Sequence, residues 1–169
     1  MMNTGCTKLC GYKKAIASYS LLFLCTGALS FSAFFFAHKT FVWIDSDGFL
    51  QWIPWLAKLH YMLADLIGGK GISLWSFDIG LGADTAGNLN NLLFDPFNYV
   101  AAAFPVALLD IGYTVSCVLK LYTAGAAVLC LLLHEKCSEK VSVLGALGYA
   151  YSYWGVGSIQ QGSFLVPFY

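Results

Sequence analysis

Residues 15–37 carry no charged side chain. A helix rising about 1.5 Å per residue over that length covers the roughly 30 Å hydrocarbon core of a bilayer. Composition agrees: a soluble domain has about a quarter of its residues charged, whereas this chain has 11% charged and 59% hydrophobic. The sequence therefore reads as an integral membrane protein of all-α class. A cleaved signal peptide shares the pattern of a basic start followed by an apolar run, but two features oppose it. The run exceeds the roughly 7 to 15 residue core of a signal. In addition, Leu22-Phe23-Leu24-Cys25 has Leu where a lipoprotein cleavage site needs a small residue before the Cys.

Charge position then sets an expected topology. Lys8, Lys13 and Lys14 precede the run, so residues 1–14 are expected in the cytoplasm and 15–37 as the first span, with 38–110 outside. Residues 111–133 form a second full-length apolar segment interrupted by Lys120. A charge at bilayer depth costs at least about 2.5 kcal/mol, which makes a protein-facing or cavity-facing role the default, with a lysine that merely snorkels as the alternative. Residues 134–140 contain two lysines and fit a cytoplasmic loop. Residues 141–154 form a third expected span, in which Ser142, Gly145, Ala146, Gly148 and Ala150 allow close helix contact. Tyr149, Tyr151, Tyr153 and Trp154 suit an outer interface, 155–163 an outer loop, and 164–169 the start of a further apolar segment. The expectation is the N-terminal part of a longer multi-pass protein. Arg is absent and net charge is zero, so no basic field points to nucleic acid. Six Cys show no metal-type spacing with His, and reduced or buried thiols are expected rather than a disulfide scaffold.

Within the outer segment, Asp45 and Asp47 follow closely on the first apolar run. Apolar residues Phe49, Trp52, Ile53, Leu56, Leu59, Leu63, Leu66 and Ile67 then repeat at helical spacing, while Gln51, Lys58 and Asp65 form a narrow polar stripe. Pro54 and the Gly68-Gly69 pair bound the helix at 53–67. Beside a span, such a helix is expected to lie in the membrane interface, the alternative being a helix packed in a small soluble loop domain. The Gly- and Asn-rich stretch to Asp95 has little periodicity and reads as an ordered functional loop. Gly80-Leu81-Gly82 lacks the third Gly and preceding strand of a nucleotide-binding turn. Residues 97–104 are too short to cross and read as a re-entrant or interfacial piece.

An ordered set of motifs runs along this chain. It comprises Asp47-Gly48-Phe49-Leu50-Gln51-Trp52-Ile53-Pro54-Trp55, Trp75-Ser76-Phe77-Asp78-Ile79-Gly80-Leu81-Gly82, and Asp95-Pro96-Phe97-Asn98-Tyr99 ending at Phe104-Pro105. Leu119-Lys120-Leu121 and Gly148-Tyr149-Ala150-Tyr151-Ser152 follow in sequence. Together these resemble the opening of the bacterial YfhO family, from Asp45 to the end of the chain. The resemblance implies a GT-C-like membrane glycosyltransferase fold. It also implies a role in adding sugars, taken from a polyprenyl-phosphate carrier, to cell-envelope polymers on the outer face of the cytoplasmic membrane. Such enzymes keep an essential acid in the first outer loop. Asp47 matches that position, and Asp45 is carried over as its neighbour. Family members are several times longer, which implies that this chain alone is inactive.

The chemistry suits the position. A lipid-linked sugar stays in the membrane, so the base that deprotonates an acceptor hydroxyl must stand at the interface. Two close carboxylates repel, which raises one pKa toward base-competent values, or they share a divalent metal; simple capping of the following helix is the structural alternative. Lys120 is a candidate ion-pair partner for the carrier phosphate or an Asp, and Gln51, Asn88 and Asn91 are candidate sugar or acceptor contacts. The expected partners are the bilayer, the polyprenyl-phosphate-linked sugar and a cell-envelope acceptor. Two other classes stay open, a non-catalytic membrane assembly subunit and a transporter or lipid-flippase component.

Overall fold

The computed structural model describes residues 4–42, 48–73, 75–77, 81–85 and 90–157, with the backbone alone for 4–11, 90, 91, 154 and 157. The described chain is mostly helical. Helix α1 is Thr4–His38, a π-helical turn at Gly48–Trp52 leads into α2 at Ile53–Ile67, and two short strands follow, β1 at Trp75–Ser76 and β2 at Ala83–Asp84. After them come α3 (Asn90–Leu93), α4 (Pro96–Ala102), a 3₁₀ turn at Val106–Leu108, α5 (Leu109–His134), α6 (Glu139–Ala150) and α7 (Tyr153–Gly157). Two stretches, Tyr12–His38 and Val106–His134, are helical, long and apolar enough to cross a membrane.

The chain divides into two compact units, described residues up to Lys39 with those from Leu119 onward, and residues from Thr40 to Val118. In the first, α1 packs on α6 and on the later part of α5. The stripe Ser142, Ala146 and Ala150 is buried, as small residues at helix contacts require. Gly125 sits where a Cβ would run into the Tyr19 hydroxyl and meet Ala146 O and Ala150 Cβ, each at 3.0 Å. Hydroxyls find partners on neighbouring helices: Tyr19 Oη donates to Tyr122 O at 2.9 Å, Tyr151 Oη donates to Phe23 O at 2.6 Å, and Ser20 Oγ and Tyr122 Oη are 2.8 Å apart. In an apolar surrounding an unmet hydroxyl would cost several kcal/mol, so these bonds permit polar aromatics in the helix contacts.

Helix ends follow local chemistry. α1 closes with Lys39 in the left-handed region at φ 65°, and α5 closes with Lys136 at φ 61°. The Cys137 N–H returning to Leu132 O at 3.0 Å, with Lys136 N–H on Leu133 O at 3.1 Å, makes a Schellman end. Ser138 then caps α6. The segment expected as one span from 141 to 154 is divided: α6 ends at Ala150, a turn at Tyr151-Ser152 intervenes, and α7 starts at Tyr153. Gly155 makes the fold-back feasible, because a Cβ there would lie 2.5 Å from Ala150 O.

The second unit is built differently. α2 spans the expected 53–67, but helical backbone begins upstream, in the π-helical turn. That wider turn suits Pro54, which has no N–H to donate and whose ring crowds the carbonyl four residues before it. The N-cap position of α2 is Trp52, with no side-chain cap bond. The stretch read as an irregular loop contains an antiparallel pair, Trp75 opposite Asp84 and Ser76 opposite Ala83, a small β element added to the expected all-α class. Gly82 at φ 111° lets the Trp75 indole lie against its backbone, where a Cβ would come within 2.8 Å. Among the described residues, Cys25, Cys117, Cys130 and Cys137 form no disulfide.

Candidate functional site

The Asp95-Pro96-Phe97-Asn98 motif is a structural device. Asp95 is fully buried and caps α4, accepting from Phe97 N at 3.0 Å, and Pro96 occupies a first-turn position that needs no N–H. Asn98, also buried, donates from Nδ2 to Leu92 O at 3.1 Å and so ties α3 to α4. α4 in turn leans on α5, where Ser116 Oγ donates to Phe97 O at 3.0 Å. Gly112 admits the Ala101 carbonyl, which would lie 2.7 Å from a Cβ. His60 Nδ1 lies 2.8 Å from Ala102 O, joining α2 to the same helix.

That scaffold fixes both flanks of residues 43–47. On the N-terminal side, Phe41 is buried and its N–H donates to Thr114 Oγ1 at 3.0 Å, while Thr114 Oγ1 donates to Asp110 O at 2.9 Å. On the C-terminal side, buried Trp52 stacks on buried Tyr113 at 6.4 Å between ring centroids and 28° between planes, with Trp55 edge-on at 5.8 Å. The two flanks are thus held by consecutive residues of α5, Tyr113 and Thr114. Beside them opens a cleft of about 340 Å³ lined by Val42, Phe49, Ile53, Val106, Ala107, Leu109 and Asp110. Val42 and Phe49 come from either side of 43–47. The cleft is apolar apart from Asp110, a half-buried carboxylate in the first turn of α5, where the helix dipole favours negative charge. An apolar cleft of this size with a carboxylate in its lining suits a ligand with an apolar tail and a polar group.

The residues singled out in the sequence fall as follows. Asp45, Asp47 and Asn88 lie outside the described residues, as does the side chain of Asn91, whose backbone belongs to α3. The assignments of base, metal pair or cap to the two aspartates therefore rest on the sequence. Gln51 is exposed on the π-helical turn. Lys120 is buried, with 1% of its surface exposed, so it faces protein and not a lipid surface. Among the described residues, no three His, Cys, Asp or Glu side chains cluster as metal ligands. Asp110 was legible only as an acid at the edge of an apolar run; the cleft that gives it a setting is a long-range feature. Of the polar stripe on α2, Lys58 donates to Ser76 Oγ at 2.9 Å and Asp65 pairs with Lys70 at 3.3 Å.

The model of a family described as bacterial membrane protein YfhO matches residues 20–162. No curated protein and no solved structure matches the chain.

Proposed function

Since the chain belongs to the YfhO family of bacterial membrane proteins, we propose that it serves a GT-C-type glycosyltransferase, moving a sugar from a polyprenyl-phosphate carrier to a cell-envelope acceptor. In this proposal the chain crosses the cytoplasmic membrane more than once with its N-terminus in the cytoplasm, and α2 lies in the outer interface. Exposed Phe49, Leu50, Leu66 and Ile67 on α2 and its leading turn support that placement. One observation carries the functional reading. Both flanks of the Asp45-Ser46-Asp47 stretch are pinned to consecutive residues of one helix, beside an apolar cleft that contains a carboxylate.

Asp47 acts as general base, with Asp45 as its neighbour. It takes the proton from an acceptor hydroxyl as that oxygen attacks the anomeric carbon, and the bond from that carbon to the carrier phosphate oxygen breaks, leaving the lipid phosphate with the electron pair. Lys120 offsets negative charge, on the carrier phosphate or on an aspartate; Gln51, Asn88 and Asn91 contact sugar or acceptor. A divalent metal held by Asp45 and Asp47 is the other role open to that pair. Replacing Asp47 with Asn is expected to abolish sugar transfer, measured with labelled polyprenyl-phosphate sugar in membranes carrying the complete transferase that the chain serves, while expression and insertion persist. Transfer retained in the variant would remove Asp47 from the mechanism. A transporter or lipid-flippase component is the second reading, favoured by a buried lysine within an apolar helix. It predicts lipid or solute movement in liposomes that is lost in Lys120→Ala, without any sugar transfer.

A further inference from the structure

A second cleft, this one polar and sharing no lining residue with the first, lies between α2 and the turn at residues 71–73. It measures about 300 Å³ and is lined by Lys58, Tyr61, Met62, Asp65, Gly71, Ile72 and Ser73. The four α2 residues follow at the spacing that places side chains on one helix face. On the opposite wall Gly71, and Gly69 just before it, have φ of 78° and 75°, a conformation that L side chains rarely adopt.

The polar groups are held in position. Lys58 Nζ donates to Ser76 Oγ at 2.9 Å, and Ser76 is itself buried in β1, paired with Ala83. Ser73 Oγ donates to Trp75 O at 2.6 Å. At the rim Asp65 Oδ1 lies 3.3 Å from Lys70 Nζ, with both side chains at least half exposed. Such an exposed pair contributes little stability, so a ligand hydroxyl can share the carboxylate at small cost. Tyr61 is 58% exposed and presents a flat apolar ring at the cleft.

We propose that this cleft binds a sugar ring. An ammonium only donates hydrogen bonds, a carboxylate only accepts them, the Tyr61 hydroxyl does both, and the Ser73 oxygen, its proton given to Trp75 O, accepts. A ligand that meets all of them must carry several groups that each donate and accept, which is the chemistry of a polyhydroxylated ring. The aromatic face of Tyr61 and the Met62 side chain receive the ring's apolar C–H face. Opposite charges in the one lining disfavour the alternatives: Asp65 repels a phosphate and Lys58 repels a cation. The volume stands at the low end for small-molecule sites, which fits one ring and not a folded polymer. This site is independent of the transfer reading, because binding here requires no chemistry at Asp47.

The test uses the full chain in lipid nanodiscs and saturation-transfer NMR. The probes are methyl glycosides of hexoses, N-acetylhexosamines and hexuronic acids, each added alone, with inorganic phosphate as competitor. At least one glycoside is expected to receive saturation, with affinity about tenfold weaker in both Asp65→Asn and Tyr61→Ala, in keeping with loss of a hydrogen bond to a charged group or of an aromatic contact. Equimolar phosphate is expected to leave the signal unchanged. Asp65→Asn alters an exposed side chain, so it reports on binding even if Tyr61→Ala fails to fold. No saturation of any glycoside, equal saturation in wild type and Asp65→Asn, or displacement by phosphate would each overturn the proposal. Because transfer is never read, these failures leave the role of Asp47 standing.

Discussion

The two units anchor buried polar groups by different means. In the first, hydroxyls of Tyr19, Ser20, Tyr122 and Tyr151 reach a backbone carbonyl or another hydroxyl on a neighbouring helix, and Gly125 and the Ser142, Ala146, Ala150 stripe bring the backbones close enough for them to do so. In the second, side chains tie short elements together: Asp95 caps α4, Asn98 holds α3, Ser116 and His60 hold α4 from either side, and Lys58 holds β1. Regular helices need polar groups only at their contacts, whereas a segment of many short elements needs one at almost every junction. The first arrangement suits spans in lipid, where every polar group must be met inside the protein. The second suits a scaffold that presents clefts.

Four substitutions probe that contrast. Gly125→Ala should be the most damaging, lowering stability by about 1–3 kcal/mol, since the new methyl meets the Tyr19 hydroxyl and the fixed Ala146 carbonyl at once. Gly148→Ala, one helix over, has nothing within 4 Å of the new Cβ and should be neutral or stabilising by up to about 1 kcal/mol. Thermal melts of both variants in the same detergent separate the two, and equal melts would mean that close packing does not govern the first unit. Next, Asp95→Ala should cost about 1–2 kcal/mol through loss of the α4 cap. Hydrogen exchange should speed up at residues 92–102 and hardly change in α1 and α6. Uniform acceleration would mean that the two units unfold as one. The smallest effect belongs to Glu139→Gln: its contact with Lys14, 3.7 Å with side chains 74% and 37% exposed, is an exposed ion pair. The melt should move by no more than about 0.5 kcal/mol equivalent at low salt, and the difference should shrink as salt screens the pair.

How legible each unit was in the sequence follows from the same contrast. The absence of charge over 15–37 and the periodicity of 53–67 are local signals, and the structure has helices there. The stripe of Ser142, Ala146 and Ala150 was visible as small residues at helical spacing and is buried. The β1 and β2 pairing depends on Gly82 admitting the Trp75 indole, a contact that periodicity does not encode. Asp95 and Asn98 stood out as a motif, but their structural work became clear only with Leu92 and Phe97 in place. Similarly, the break after Ala150 lies in an unbroken apolar stretch and depends on the fold-back that Gly155 permits. Of the candidate site, the cost of a charge in lipid made a protein-facing or cavity-facing Lys120 the default, with a snorkelling lysine as the alternative, and the side chain is buried. Asp110 carries no such local signal, because its setting comes from Val42, Phe49 and Ile53 meeting beside it.

The central claim is that the segment around Asp47 faces the outside of the cell. Single cysteines at Gln51 and at Lys140, both exposed positions, placed in a background without the native cysteines, allow it to be measured in intact cells with a membrane-impermeant maleimide. Gln51→Cys should be labelled directly, and Lys140→Cys only after the membrane is permeabilised. Labelling of Lys140→Cys in intact cells with Gln51→Cys protected would invert the chain and contradict transfer at the outer face.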